Sequence, residues 1–253
     1  MLKAGKILWR SLTWLIAFAF LSACSTKPAA EQENQSTDSA VSIEQKTGFL
    51  DLDTGQYQVF ESGNSAITLP KSDLFGVPQE REPANLQSTT GVTRTGDELV
   101  FKLKNGQEKV LKNNLTDEEN STEYIFMRSL EPIGYWEILV FYYESFDYLL
   151  INQTDGSETH IWNKAVLSPD NKYILCGSVD IEAAFVPTGF QLWSLENGTL
   201  VRKWEKELND WGAEKLLWLK DDEVWGEQTY RDNVSGELKT RLIKMRMYWS
   251  EAK

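Results

Sequence analysis

Leu192-Trp193-Ser194-Leu195-Glu196-Asn197-Gly198-Thr199 is the stretch on which the reading of this chain turns. Apolar and polar residues alternate up to the Asn-Gly pair, the period of a strand with one face buried. Asn and Gly both tolerate the positive φ of a two-residue turn, so the strand is expected to reverse there into a second one. Four further stretches are built the same way. They run from Leu50 to Tyr57 around Gly55, Phe101 to Glu108 around Gly106, Leu150 to Ser157 around Gly156, and Arg231 to Leu238 around Gly236. The five glycines are separated by 51, 50, 42 and 38 residues.

A hairpin that recurs every 40–50 residues has the spacing of propeller blades, each a small antiparallel sheet. The expectation is therefore an all-β domain of four or five β-propeller-like units. A β-sandwich or an open stack of hairpins would carry the same local pattern. Ring closure is preferred, because it removes the exposed edges that antiparallel sheets must otherwise protect. One unit is fuller than the others. Val166-Leu167-Ser168-Pro169-Asp170-Asn171-Lys172-Tyr173-Ile174-Leu175 resembles the S-P-D-G-K segment of TolB-like and WD40-like propeller blades. Asn171 stands where such segments have glycine, and asparagine accepts the left-handed φ that this turn position needs. The resemblance continues through Gly198 and covers about residues 166–206, while the other units lack the S-P-D element.

Outside the hairpins the pattern weakens. Residues 70–90 hold Pro70, Pro78 and Pro83 and little alternation, and read as a long excursion. Leu208 to Leu219, with Trp211, Leu216, Leu217 and Trp218, reads as a short helix followed by a strand. Residues 25–46 contain no aromatic residue and almost no large apolar one, so they cannot bury enough surface to offset their ordering entropy. They read as a flexible tether, which places the domain at residues 47–253.

The first 23 residues read as an export signal: Lys3, Lys6 and Arg10 in front, an apolar run from Leu12 to Leu21, then small residues. The run is shorter than the roughly 20 residues that span a bilayer. Leu21-Ser22-Ala23-Cys24 resembles the lipobox of bacterial lipoproteins. That resemblance implies cleavage before Cys24, lipidation of Cys24 and a cell-envelope location with a membrane held through the anchor. Residues 24–46 would then be the lipidated cysteine and its tether. Ser25, rather than aspartate, follows the cysteine, which implies the outer membrane in a host that has one.

Charge narrows the partners. The formal charge is −12, and loss of residues 1–23 removes three bases and no acid, taking it to −15. Such a surface repels phosphate backbones and argues against nucleic acid. With Cys24 acylated, Cys176 is left alone in an apolar run, so no intrachain disulfide and no thiolate zinc site is expected.

The residues that could do chemistry are few. His160 is the only histidine, on an expected outer strand with Glu158 and Trp162 on its face, and no Gly-x-Ser-x-Gly segment accompanies it. It reads as a surface or packing residue. Asp180 and Glu182, two apart, would share a strand face if that strand continued. Asp117-Glu118-Glu119 and Asp221-Asp222-Glu223 read as solvated turns, and Asp51-Leu52-Asp53 as part of a hairpin rather than a calcium loop. No catalytic, metal or cofactor residue is assigned. Eight tryptophans follow residue 24 and are expected to pack between units; the functional reading of the aromatic excess is a sugar- or peptide-binding face around Phe185 to Phe190. The sequence thus reads as a lipid-anchored, non-enzymatic binding or scaffolding module for a protein or glycan partner. The alternative is a carboxylate-dependent glycan-active enzyme on the same scaffold.

Overall fold

The computed structural model describes residues 48–50, 56–61, 68–70, 78–220 and 222–248, all within the unit Glu44–Lys253. Along the chain come β1 (Gly48–Leu50), β2 (Gln56–Glu61) and helix α1 (Pro78–Gln87). A three-stranded sheet follows: β3 (Val92–Thr95), β4 (Glu98–Lys102) and β5 (Glu108–Lys112). The second sheet has four strands in chain order: β6 (Thr122–Leu130), β7 (Tyr135–Tyr142), β8 (Phe146–Asn152) and β9 (Glu158–Ile161). The third repeats that order with β10 (Val166–Leu167), β11 (Tyr173–Ser178), β12 (Gly189–Glu196) and β13 (Thr199–Glu207). The fourth starts with β14 (Trp211–Lys220), β15 (Glu223–Arg231) and β16 (Leu238–Tyr248). It is completed by β2 and then β1, because β2 pairs antiparallel with β16, Val59 opposite Met245. The domain is all-β, with every strand pair antiparallel.

The hairpin reading holds at the four glycines that are described. Gly106, Gly156, Gly198 and Gly236 sit in turns between paired strands, all at positive φ. Gly55 lies outside the described residues, as do Asp51-Leu52-Asp53, Asp221, Cys24 and its tether. The turn after β12 has Asn197 at φ 52° and Gly198 at φ 81°, the two left-handed positions that its sequence asked for. Asn171 has φ 58°. Around it, Ser168 Oγ donates to Asp170 Oδ1 at 2.7 Å, and the amide of Tyr173 donates to Ser168 Oγ at 3.0 Å. That serine hydroxyl, with help from Lys172, holds the Asp170 carboxyl down at about 2.

Strand alternation builds the core. Trp136, Ile138 and Val140 of β7 pack with Leu99, Phe101 and Leu111 of the first sheet. Tyr135 and Leu139, one step out of phase, pack with Ile174, Cys176 and Leu200 of the third. In turn Leu175, Phe190, Leu192 and Trp204 meet Ala213, Trp218, Val224 and Ile243 of the fourth. The central strands of the second and third sheets, β7, β8, β11 and β12, are thus buried on both faces, which is why they read as nearly continuous apolar runs. Trp136, Trp204 and Trp218 are buried in these layers and Trp193 and Trp211 pack against them, whereas Trp162 and Trp225 are half-buried outside them and Trp249 lies outside the described residues.

Two expectations are corrected. Residues 208–219 do not start with a helix: Trp211–Lys220 is a single strand. A bulge between Glu214 and Leu217, with Lys215 at φ 52°, puts Leu216 and Trp218 on the buried side and breaks the period of two. The excursion at 70–90 contains α1. Pro78 opens it at a position where a missing N–H costs nothing. Polar contacts dock the helix on β6, Glu82 Oε1 accepting the amide of Phe126 at 2.7 Å and Asn85 Nδ2 donating to the Phe126 carbonyl at 3.2 Å, and Leu86 packs against the apolar layer beneath. Glu82 is itself held by the Arg94 guanidinium, Nε to Oε2 3.0 Å. The helix therefore satisfies an edge of β6 that no described strand covers, and an apolar-stripe pattern could not reveal it.

Glycine is required for space at Gly177, where β11 crosses β14. A Cβ there would lie 2.2 Å from the Ala213 carbonyl oxygen and 2.9 Å from Leu216 Cδ1. Gly177→Ala should cost about 2–3 kcal/mol. Gly198→Ala, with open space around it, should cost about 1 kcal/mol for its positive φ alone. Urea midpoints of the two variants would reveal the opposite order if the close crossing were absent.

Candidate functional site

Three strands that begin their sheets, β6, β10 and β14, border a cavity of about 240 Å³ that is partly open to solvent. Ala165, Val166, Leu167 and Leu216 give it an apolar wall, and Arg128, Lys164, Glu214 and Lys215 supply its charge. Gly177 also lines it, so the crossing described above leaves room where a side chain would stand.

Arg128 is placed by a buried carboxylate. Glu137 is central in β7 and 0% exposed, facing the third sheet. Arg128 Nε donates to Glu137 Oε2 at 2.6 Å and its terminal nitrogen to Oε1 at 3.2 Å. The same nitrogen donates to the Ala165 carbonyl at 2.6 Å, and the Ala165 amide donates to Glu137 Oε1 at 2.7 Å. The charge pair takes up both main-chain groups of Ala165 as a neighbouring strand would. Such a pair fixes one arrangement, since Glu137 without its partner would be a costly buried charge.

Across the cavity the β14 bulge presents Glu214 and Lys215 side by side. Lys215 is ion-paired with Glu227 of β15. Burial pushes the Glu214 carboxyl above its usual range, with Lys215 opposing and Glu227 adding to the effect.

The residues singled out from sequence lie elsewhere and are not brought together. His160 is on β9, the last strand of its sheet, as expected, with Nδ1 2.7 Å from Asp147 Oδ2. Tyr142 donates to the other oxygen of that carboxylate at 3.2 Å. Burial and Asp147 push the Tyr142 hydroxyl far up, so it does not ionise at ordinary pH. Asp180 and Glu182 do not form a strand-face pair, because β11 ends at Ser178. Asp180 instead accepts the amides of Ala183, Phe185 and Val186 and organises its loop. Asp117, Glu118 and Glu119 are exposed. Glu223 is not at a solvated tip: it is buried at the start of β15, accepting from Lys244 at 2.7 Å and from Trp225 Nε1 at 2.9 Å. Cys176 is buried, and burial raises its thiol well above the usual value. Phe190 is buried against Trp211, ring centroids 5.6 Å apart, so only Phe185 of that aromatic pair faces solvent. Among the described residues no group of three or more His, Cys, Asp or Glu could hold a metal ion.

Sequence reasoning passed over the cavity residues, although a signal was present. Glu137 interrupts Tyr135-Trp136-Glu137-Ile138-Leu139-Val140, and a lone acid in a strand buried on both faces needs a partner. No protein-family model matches the chain, and no curated protein matches it.

Arg128→Met should destabilise by about 3–5 kcal/mol, because it strands Glu137 as an uncompensated buried charge. Adding Glu137→Leu should recover part of that loss, the Ala165 amide remaining unpaired. A double variant less stable than Arg128→Met would refute this account of the pair.

His160 is 51% exposed at its side chain and sits away from the cavity, so His160→Ala should cost at most about 1 kcal/mol. Its hydrogen bond to Asp147 raises its pKa, against the opposing effect of burial. A raised pKa in the folded state stabilises fully below the unfolded value of about 6.5 and is lost as pH rises through the folded value. The cost of His160→Ala should therefore be greatest below that pH and shrink above it. Unfolding titrations across the range would show a flat profile if the pair contributes nothing.

Proposed function

We propose that this chain is a lipid-anchored cell-envelope protein whose four-unit, propeller-like domain is a non-enzymatic binding module for a protein or glycan partner. The anchor reading rests on Leu21-Ser22-Ala23-Cys24 and the polar tether after it. The propeller-like reading is supported by the succession of four sheets along the chain and by the pairing of β2 with β16. Joining the first and last strands in one sheet is the device by which a ring of sheets closes. The observation that carries the binding reading is the cavity beside β6, β10 and β14, the kind of concave, mostly apolar site with few fixed polar groups in which ligands bind.

The second reading, a glycan-active enzyme, has one observation in its favour. Glu214 lines the cavity with its carboxyl raised by burial, as a general acid requires. Glycoside hydrolysis of the usual kind needs a second carboxylate across the scissile bond, and Glu214 is the one carboxylate among the lining residues.

Cys24→Ala should yield an unprocessed or released form that no longer partitions into detergent, whereas the wild-type chain does. A membrane-bound variant with the mature wild-type mass would end the anchor reading. Capture of one partner by the full chain from detergent-solubilised envelopes, without turnover of envelope glycan, is the outcome expected of a binding module. Glycan turnover that Glu214→Gln abolishes would put the enzyme in its place.

A further inference from the structure

Among the described residues the first sheet is the smallest, with three strands where the others have four, four and five. Its last strand, β5, pairs with β4 on one side and with no described strand on the other. Two bonds fix the phase of that ladder: the Leu103 amide donates to the Gln107 carbonyl, and the Asn113 amide to the Asp97 carbonyl. Antiparallel pairs alternate between bonded and non-bonded, so Lys109 and Leu111 bond to β4. Glu108, Val110 and Lys112 therefore aim their N–H and C=O groups outward. Among the described residues no hydrogen bond reaches those outward groups. Elsewhere side chains do reach such amides, Gln191 that of Trp162 just beyond β9 and Tyr135 that of Leu200 on β13.

The side chains of the same three residues share one face. Val110 is 48% exposed and lies opposite Val100 of β4. Lys112 lies opposite Glu98, Nζ to Oε1 3.2 Å, and Glu108 lies opposite Lys102. Lys109 points to the other face, where Glu158 of β9 holds it at 2.7 Å. Edge lysines deter pairing with another chain when their charge is unmatched. Here Glu108-Lys109-Val110-Leu111-Lys112 is self-complementary: run antiparallel to itself about Val110, it sets Val110 against Val110 and Glu108 against Lys112. With β4 included, one row reads Glu98 and Lys112 from one copy, then Glu108 and Lys102 from the other, alternating in sign. The central row is valine throughout, Val100 and Val110 from each copy. A shift of two residues either way sets a charge against Val110. β13, which ends the third sheet, fails this test, because pairing about its middle residue opposes Lys203 to itself.

We propose that β5 is a self-pairing edge, through which a second copy of this chain joins its first sheet to that of the first in one continuous antiparallel sheet, three strands from each. The ladder adds about six main-chain hydrogen bonds and covers Val110. Five residues a side make a small contact, so the dimer is reversible rather than obligate. The inference goes beyond the binding-module reading and depends neither on the cavity nor on the lipid anchor.

The test is oxidative cross-linking of the purified full chain carrying Val110→Cys, which sets two thiols across the two-fold axis at a Cα spacing that a disulfide can span. A linked dimer should form about tenfold faster than with Val201→Cys on the exposed strand β13, or with the native cysteines alone. In the Val110→Cys background, Glu108→Lys or Lys112→Glu should slow linking about tenfold, because each spoils two rows at once. The two substitutions together should restore it. An equal mixture of the two single variants should restore it as well, as mixed dimers. Recovery in the doubly substituted chain would show that the single losses are not misfolding. Sedimentation equilibrium of the unsubstituted chain should show reversible dimer by about 1 mM. Linking no faster than at Val201, indifference to the single charge changes, no recovery in the double variant or the mixture, or a monomer throughout that range would each overturn the proposal.

Discussion

The Arg128–Glu137 pair is the constraint around which the domain is arranged. A carboxylate with no solvent contact can persist in the middle of β7 only if cations and amide donors meet it, and Arg128 and Ala165 do so. Because Ala165 leads directly into β10, the second and third sheets are tied at the point where the chain passes from one to the other. The same pair turns the guanidinium toward the cavity, so the fold and the site share one interaction.

Side chains do this work at several exposed edges. Glu82 and Asn85 of α1 bond both main-chain groups of Phe126, and Asn113 Oδ1 accepts the Tyr124 amide at 2.9 Å. Between the second and third sheets, Tyr135 Oη donates to the Gly198 carbonyl at 3.2 Å and accepts the Leu200 amide at 3.3 Å. Asn152 Nδ2 donates to that carbonyl and to the tyrosine oxygen. Gln191 Oε1 accepts the amide of Trp162 at 3.0 Å. Apolar layers bring neighbouring sheets face to face, and these polar clasps fix their register. An uncovered edge would otherwise be open to pairing with another chain.

The hairpins were legible because their physics is local: alternation and two residues at positive φ are properties of eight consecutive positions. The S-P-D-N turn was legible for the same reason, and Asn171 adopts the conformation that its position demands. The bulge at Lys215 was not, since it exists to fit β14 against Gly177 of a strand some forty residues earlier. Nor was α1, whose stability comes from an edge of β6 and not from an apolar stripe of its own. The site was hidden for a related reason. Arg128 and Glu137 face each other across the β6–β7 hairpin, but Lys164 and Glu214 are distant in sequence and join them only because the sheets stack, while Asp117, Glu118, Glu119, Asp180 and Glu182 sit in loops.

The pairing of β2 with β16 has a consequence for the order in which this domain forms. The two strands are separated by nearly the whole domain, so their meeting closes the longest loop in the fold, at an entropy cost that the many contacts of β16 must offset. The three inner sheets can assemble from neighbouring segments as the chain emerges, whereas the fourth must wait for Leu238–Tyr248. Contacts this distant in sequence slow folding. Until that last strand arrives, β2 and β15 each display a bare edge, and the interval between emergence and completion is when this chain is most exposed to pairing with the wrong partner.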